Sequence, residues 1–576
     1  MRDTEQQEKR IGVILLCLIG VLLLWHCRLS FCQSDESFYL ALVHRFWNGD
    51  RMILDEWNVG QFYSPILLPF YALYRLIVPE GIGVYLYARI VYVLFSAIVS
   101  ILFYQRCCNN SSSRFLALIA AVLPLLYSRA NICGPSYYNL CFQFVVFSVL
   151  LLRKDGDHDP LHRPFQAGVF LSLAVLCNPF LSIFVFCGLI VLYINRKTRK
   201  MFYNVLTGVV LTALVYLIYL MHFGNPLELF KGIPLLLKSP SSSGNFMTKI
   251  FQNRQDLLRY VSFYVFPTAI IGSLMSLWYW KREKQPGRIA KITYLFLCLL
   301  LIGYTASQSK ISICFIITVP FTILIFPFVI RALLFRINDF ALIIYAFGVA
   351  LATAFFVASN TGIDAMTTGT CLSSAGGVLL LFDKEKDENC ESVDNASVII
   401  ERVVCISICF LLVGVFSAHR FLGIYRDAPV SQLTHRIENG PAAGLFTSDA
   451  HAAEYEMIMN EIIKLHKEYP NARVLFSRNL PWAYLASDWT CADFTVWSTL
   501  LSDPRIEKYY QTHQEPDLVF IFDESVAGYE TAPFNNHFQI NTFNRNEFKG
   551  TYYDHLAETY RVIENNEIVT VFCSFE

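Results

Sequence analysis

Long apolar runs recur through most of this chain and leave it one kind of fold. IGVILLCLIGVLLLW, VLFSAIVSILFY, CFQFVVFSVLLL, VLTGVVLTALVYLIYL, YLFLCLLLIGY and ICFIITVPFTILIFPFVI approach or reach the roughly 20 residues that a helix needs to cross a bilayer. A soluble domain has no use for so many. With 55% hydrophobic and 16% charged residues over 576 positions, and a mean hydropathy of +0.43, the chain reads as a polytopic α-helical membrane protein. The formal net charge is +0, so charge gives no argument for a nucleic-acid partner.

Basic clusters interrupt the runs: Arg153, Lys154 and Arg163; Arg196, Lys197, Arg199 and Lys200; Lys281, Arg282, Lys284, Arg288 and Lys291. Cytoplasmic loops carry such an excess, so the clusters orient the spans and place the N-terminus inside. Helices are expected near 11–31, 84–104, 115–128, 136–152, 165–178, 180–195, 202–222, 257–280, 289–306, 311–330, 338–358, 362–382 and 398–417, about thirteen in all. The first follows Arg2, Lys9 and Arg10 without a small-residue cleavage site and reads as a retained anchor. The weakest is 362–382, containing DAMTTGTCLSSAGGVLLLF. If it crosses, the acidic segment DKEKDENCESVD is cytoplasmic and the tail lies outside, which is the expected arrangement; if it is a loop, the tail falls inside. On that topology the triplets at Asn110 and Asn395 face the cytoplasm and are not glycosylation sites.

From about residue 420 the composition shifts, and 420–576 reads as a soluble α/β domain, extracytoplasmic, after a membrane domain at 1–419 whose first outer loop covers about 32–83. ARVLFS, DLVFIF and EIVTVFCSF are strand-like, and HAAEYEMIMNEIIKLHKEYP repeats apolar residues at helical spacing and stops before Pro470. Asn565-Asn566 between two apolar stretches points to a hairpin. No glycine-rich phosphate loop or Ser/His/Asp motif is present there, and the expected task of the domain is to cover or shape a site on the membrane part. Most of the 17 cysteines lie inside apolar runs as small hydrophobes, and their spacing supports neither a zinc site nor a disulfide framework. A Cys491–Cys573 bridge is left open.

The chemistry-bearing residues gather just after the first span. Asp35-Glu36 opens an amphipathic stretch that also holds Asp50, Asp55 and Glu56, and charge beside the hydrocarbon is expensive unless it has a task. Ser34-Asp35 ahead of Phe38, Leu42 and Phe46 also reads as a helix start, where an acid favours the positive end of the dipole. Capping and chemistry are compatible. Three cations lie in or near apolar segments: Arg89, Arg129 and Lys310. A cation at the bilayer centre costs roughly 2.5 to 3.5 kcal/mol on insertion scales, so each needs an anionic partner, a polar cavity or a route to the interface. Arg89 fits an ion pair with a loop carboxylate as well as a substrate contact, Arg129 is expected to snorkel, and Lys310 fits a phosphate contact on the side of Asp35.

Carboxylates and cations on one face suit a reaction between a neutral hydroxyl and an anionic lipid-linked substrate such as a lipid-phosphate sugar. The leaving phosphate needs charge stabilisation, which Lys310, Arg89 or a divalent metal ion would supply. The acceptor hydroxyl needs a general base, and Asp35 is the choice.

DESFYLALVHRFWNGDRMILDEW, then GQFYSPILLPFYALYRLI and YARIVYVLFSAI, resembles the first outer loop and second span of the GT-C glycosyltransferases. The likeness is to the branch with the protein O-mannosyltransferases and the bacterial aminoarabinose transferases. FQAGVFLSLAVLCNPF is similar to a family span that ends in Lys-Pro, with Asn178 in place of the lysine. SQSKISICFIITVPFTIL is similar to the family's Ser...Lys segment, without the aromatic residue and first proline that usually follow the lysine. The resemblance implies a polyprenyl-phosphate-linked sugar donor, inversion at the anomeric carbon, Asp35 as catalytic base with Glu36 its neighbour in the motif, and Lys310 at the donor phosphate. Arg89 matches the family's arginine, and Asp55 and Tyr63 in the same strings are further candidate substrate contacts. The implied acceptor is a lipid, glycan or protein hydroxyl of the cell envelope, and the expected home is a bacterial plasma membrane, with a eukaryotic endoplasmic-reticulum membrane as the alternative. The alternative function is a transporter or flippase of a lipid-linked or small anionic substrate, against which stand the lack of an internal repeat and the large C-terminal domain. A non-catalytic scaffold is a third reading.

Overall fold

The apolar runs become helices of the expected register: α1 (Arg2–His26), α2 (Asp35–Trp47), α3 (Ser64–Ile77), α4 (Val84–Asn110), α5 (Arg114–Leu126), α6 (Tyr137–Leu152), α7 (His162–Cys177), α8 (Leu181–Ile194) and α9 (Arg199–Met221). They are followed by α10 (Pro226–Leu236), α11 (Val265–Trp278), α12 (Gln285–Gln308), α13 (Thr318–Leu324), α14 (Phe326–Phe335), α15 (Asp339–Ala358), α16 (Ile363–Leu381) and α17 (Asn395–Leu422). The computed structural model describes residues 2–110, 113–152, 162–236, 264–278, 285–308, 316–335, 338–359, 361–381, 395–477, 480–497, 503–522, 552–566 and 569–574, with residue 501 and scattered positions between 251 and 261. Lys310, Arg153, Lys154, Lys281, Arg282, Lys284 and the acidic segment 383–394 lie outside them.

Helices stand at each of the thirteen expected positions, with α13 and α14 sharing one of them. Six contain a stretch long and apolar enough to cross a membrane (Glu5–His26, Val84–Asn110, Arg199–Met221, Ile289–Ser307, Asp339–Ala358, Ala396–Leu422), and α13 with α14 makes a seventh, bent by 42°. Pro327 sits in the first turn after that bend, where its ring and missing N–H break the ladder. Most of the rest, such as Arg114–Leu126 with 13 residues, are shorter than the bilayer thickness at 1.5 Å per residue, whereas α16 with 19 residues is long enough but less apolar.

The weak segment at 362–382 is helical as α16, and its packing explains its low hydropathy. It runs antiparallel along α15 in close contact, and nearly all of it is buried. A Cβ on Gly348 would stand 2.3 Å from the Ser373 nitrogen, and one on Gly369 would stand 2.0 Å from the Ala352 nitrogen. Small residues let the backbones approach in this way, and Ser373 donates a hydrogen bond to the Tyr345 carbonyl. The helix faces protein instead of lipid, so it has no need of an apolar surface. Gly369→Val is expected to force α15 and α16 apart and to cost about 1–3 kcal/mol or more. Thermal midpoints in detergent check this, with Gly414→Ala as control, because a Cβ there meets open space.

After α17 the chain builds the C-terminal domain: β1 (His435–Arg436), β2 (Phe446–Thr447), α18 (Asp449–Glu468), β3 (Arg473–Phe476), α19 (Trp482–Leu485), β4 (Thr490–Cys491), α20 (Arg505–Tyr510), β5 (Leu518–Phe522), α21 (Tyr552–Thr559), β6 (Arg561–Asn565) and β7 (Val569–Cys573). β1 and β2 form a small antiparallel pair, and the main sheet has the order β4-β3-β5-β7-β6. β3 is parallel to β4 and β5, whereas β5, β7 and β6 run antiparallel to one another, with the β6–β7 hairpin where Asn565-Asn566 pointed. Cys491, Val474, Leu518 and Cys573 lie in one row across four strands, which puts the two cysteines roughly 14 Å apart. A bridge between them is excluded, and both are free thiols.

This domain sits on the first outer loop. Ser30 and Phe446 exchange backbone hydrogen bonds with the neighbouring strand of chain, Ser30 N to Phe446 O at 2.8 Å and Phe446 N to Arg28 O at 2.7 Å. Trp57 from the loop enters the apolar core of the sheet with Phe494, Tyr509 and Val519, and its backbone N–H donates to the Phe494 carbonyl at 2.7 Å. Asp35 and the C-terminal domain therefore share one face of the helical body.

Candidate active site

Asp35 opens α2, so the positive end of the helix dipole meets its carboxylate. It does not cap the helix. Its Oδ2 accepts a 2.6 Å hydrogen bond from the Tyr425 hydroxyl and lies 3.0 Å from Arg426 Nη1. The Asp35 side chain remains 19% exposed, and among the described residues its Oδ1 accepts no hydrogen bond. Tyr39 and Tyr137 stand beside it, their rings 5.5 Å apart, and Tyr63 packs on both.

Glu36 points the other way and pairs with Arg89. Arg89 Nε donates to Glu36 Oε1 at 2.6 Å and Nη2 reaches Oε2. Its remaining donors go to the carbonyls of Cys27 (2.8 Å), Leu29 (3.0 Å) and Ser30 (3.1 Å). The guanidinium is thereby fully used by the turn that links α1 to α2, with 1% of the Arg89 side chain and 3% of the Glu36 side chain exposed. Of the two roles open to Arg89, the geometry displays the ion pair.

The other loop candidates face the C-terminal domain or the core. Asp55 accepts from Arg51 Nη2 at 2.8 Å and lies 3.2 Å from His513 Nε2. Burial works against its ionisation, but the hydrogen bonds from His513 and Arg51 outweigh it and hold the carboxyl below the ordinary range. Tyr63 is fully buried and its hydroxyl donates to the Tyr39 carbonyl at 2.8 Å. Arg129, expected to snorkel, is instead buried: Nη1 pairs with Asp364, Nη2 donates to Thr361 Oγ1 at 2.9 Å, and the group lies over the Tyr138 ring. Asp364, at the start of α16, lies close enough to pair with it, so the guanidinium has no need to reach solvent.

Three residues escaped the sequence reading. Arg45 is buried under the domain, bridging Asp50 Oδ2 (2.6 Å), Glu56 Oε2 (2.8 Å) and the Asp493 carbonyl (2.6 Å). Nothing in its local sequence marks it for burial, since its partners come from the loop and from the C-terminal domain. Tyr425 and Arg426 follow the last apolar span, where aromatic and basic residues are common and carry no signal of a site.

His44 joins α2 to the same domain. Its ring nitrogens lie 2.7 Å from the Tyr71 hydroxyl and 3.0 Å from the Ser487 carbonyl. Burial, and then the positive charge of Arg75, push the imidazole from its ordinary 6.5 down to about 4. The unfolded chain thus takes the proton first, so this contribution is whole above about 6.5 and is lost as pH falls from there toward 4. Thermal midpoints are expected to drop over that interval in wild type and to drop less in His44→Gln.

Among the described residues no group of three or more His, Cys, Asp or Glu gathers as metal ligands. What the arrangement can do is hold one carboxylate with one oxygen fixed and the other open, beside aromatic rings and the guanidinium of Arg426.

Fold and site together define a polytopic helical membrane protein with a small C-terminal sheet domain seated on its first outer loop. No protein-family model and no curated protein sequence matches the chain. Among solved structures, the crystal structure of ArnT from Cupriavidus metallidurans in the apo state is similar over 98% of this chain and 98% of that chain, with 10% sequence identity and a TM-score of 0.43.

Proposed function

We propose that the protein is an inverting glycosyltransferase of the GT-C type, taking a sugar from a polyprenyl-phosphate donor to a hydroxyl of a lipid, glycan or protein acceptor. The observation that supports this reading is the carboxylate of Asp35, one oxygen held by Tyr425 and Arg426 and the other accepting no hydrogen bond among the described residues. In the reaction Asp35 Oδ1 takes the proton of the acceptor hydroxyl as that oxygen forms its bond to the anomeric carbon. The bond from that carbon to the phosphate oxygen breaks and its electron pair leaves on polyprenyl phosphate, while the proton on Asp35 returns to water. Glu36 and Arg89 serve by clamping the turn that presents Asp35. Asp55 and Tyr63 give the loop its shape, and Lys310 is assigned to the donor phosphate.

On this reading the N-terminus lies inside and the face bearing Asp35 lies outside the cytoplasm, at the plasma membrane. The experiment is transfer of labelled sugar from polyprenyl-phosphate donors to acceptors in a membrane extract by the purified, reconstituted protein. Label in a lipid, glycan or protein fraction is expected. Movement of intact donor across the vesicle bilayer without new product would overturn the reading in favour of a transporter.

A further inference from the structure

Resting on that reading, we propose that Tyr425 and Arg426 are positioning residues for the base: they fix Asp35 Oδ2 and leave Oδ1 to the acceptor hydroxyl. Both contacts fall on the same oxygen, the hydroxyl at 2.6 Å and the guanidinium nitrogen at 3.0 Å. Two donors on one oxygen set the plane of the carboxylate, and the guanidinium contact is charge-assisted.

The linker is built to hold this geometry. Arg426 has a left-handed backbone with φ of 53°, which costs an ordinary residue energy and persists only where its surroundings impose it. Those surroundings begin at the next residue. Asp427 is fully buried, accepting from Phe31 N at 2.7 Å and from Thr447 Oγ1, with His451 Nδ1 at 3.1 Å. With Asp427 anchored, Arg426 turns back over the Tyr425 ring, 5.2 Å from its centre, and also reaches Ser34. The base on the first outer loop is thus oriented by the segment joining the last span to the C-terminal domain, 390 positions away. The other titratable groups facing Asp35 are Cys32, Tyr39 and Tyr137.

The test compares full-length wild type with Arg426→Gln, Arg426→Lys and Tyr425→Phe in the pH dependence of donor turnover. Arg426→Gln is expected to lower turnover about tenfold at neutral pH. The acid limb of its profile moves to higher pH, because the cation 3.0 Å from the carboxylate is gone. Arg426→Lys returns the limb toward wild type, and Tyr425→Phe lowers turnover with little change in the limb. A wild-type profile in Arg426→Gln, or equal losses at every pH in Arg426→Gln and Arg426→Lys, overturns the proposal while leaving the transferase reading intact. If wild type turns over no donor, the transferase reading fails instead. The proposal is then judged on the infrared carboxylate band of Asp35, isolated by subtracting Asp35→Asn. Its titration at the same pH in wild type and Arg426→Gln overturns the proposal, and a higher pH in the variant supports it.

Discussion

Asp35→Asn is expected to give a folded protein that binds donor and does not turn it over. The amide keeps the shape of the carboxylate and still accepts from Tyr425, so the contacts that seat α2 under the C-terminal domain survive. What is lost is the charge that takes a proton, and a positioned base contributes about 10²- to 10⁴-fold. Stability should change little. The partner left behind, Arg426, is 17% exposed and keeps its contact with Ser34, so its charge is not stranded in apolar surroundings. Turnover by released polyprenyl phosphate, donor affinity by calorimetry and thermal midpoint together check the prediction. Loss of donor binding along with turnover, or a large fall in midpoint, would give Asp35 a structural role.

Arg89→Ala should behave in the opposite way, as a folding variant. The substitution leaves the Glu36 carboxylate buried without its cation and removes the donors held by the carbonyls of Cys27, Leu29 and Ser30. Removing one partner of a buried ion pair costs about 3–5 kcal/mol, because the other charge stays behind unpaired. The loss falls at the turn between α1 and α2, and with it goes the backbone pairing of Ser30 and Arg28 to Phe446. The expected result is a thermal midpoint well below wild type with a poor yield of monodisperse protein. Arg89→Lys should recover only part of it, since one ammonium cannot serve the same fork of acceptors. If Arg89 instead contacts substrate, Arg89→Lys will melt like wild type and raise KM.

The contrast between these neighbours shows what was legible in the sequence. The body was legible because bilayer-crossing helices announce themselves by length and hydropathy, and the loop after α1 drew attention because charge stands out against apolar sequence. Even α16 was visible as an ambiguity. Its threonines, serines and glycines lower hydropathy for the same reason that they let it lie against α15, and only the packing distinguishes that from a loop. The partners of Asp35 were not legible, because Tyr425 and Arg426 come to it through tertiary docking and carry no local pattern. Arg129 shows the same limit, because its partner Asp364 is remote in the chain and burial reversed the expectation of snorkelling. Spacing left Cys491 and Cys573 as a conceivable pair, and strand order separates them.

The account turns on Asp35 as the base of a sugar transfer. The most direct measurement is release of free polyprenyl phosphate from a panel of polyprenyl-phosphate sugars, with membrane extract supplying acceptors, by purified wild type and Asp35→Asn side by side. The account predicts release by wild type from at least one donor and its loss in a folded, donor-binding Asp35→Asn. Equal release by the two proteins, or none by a folded wild type from any donor, would contradict it.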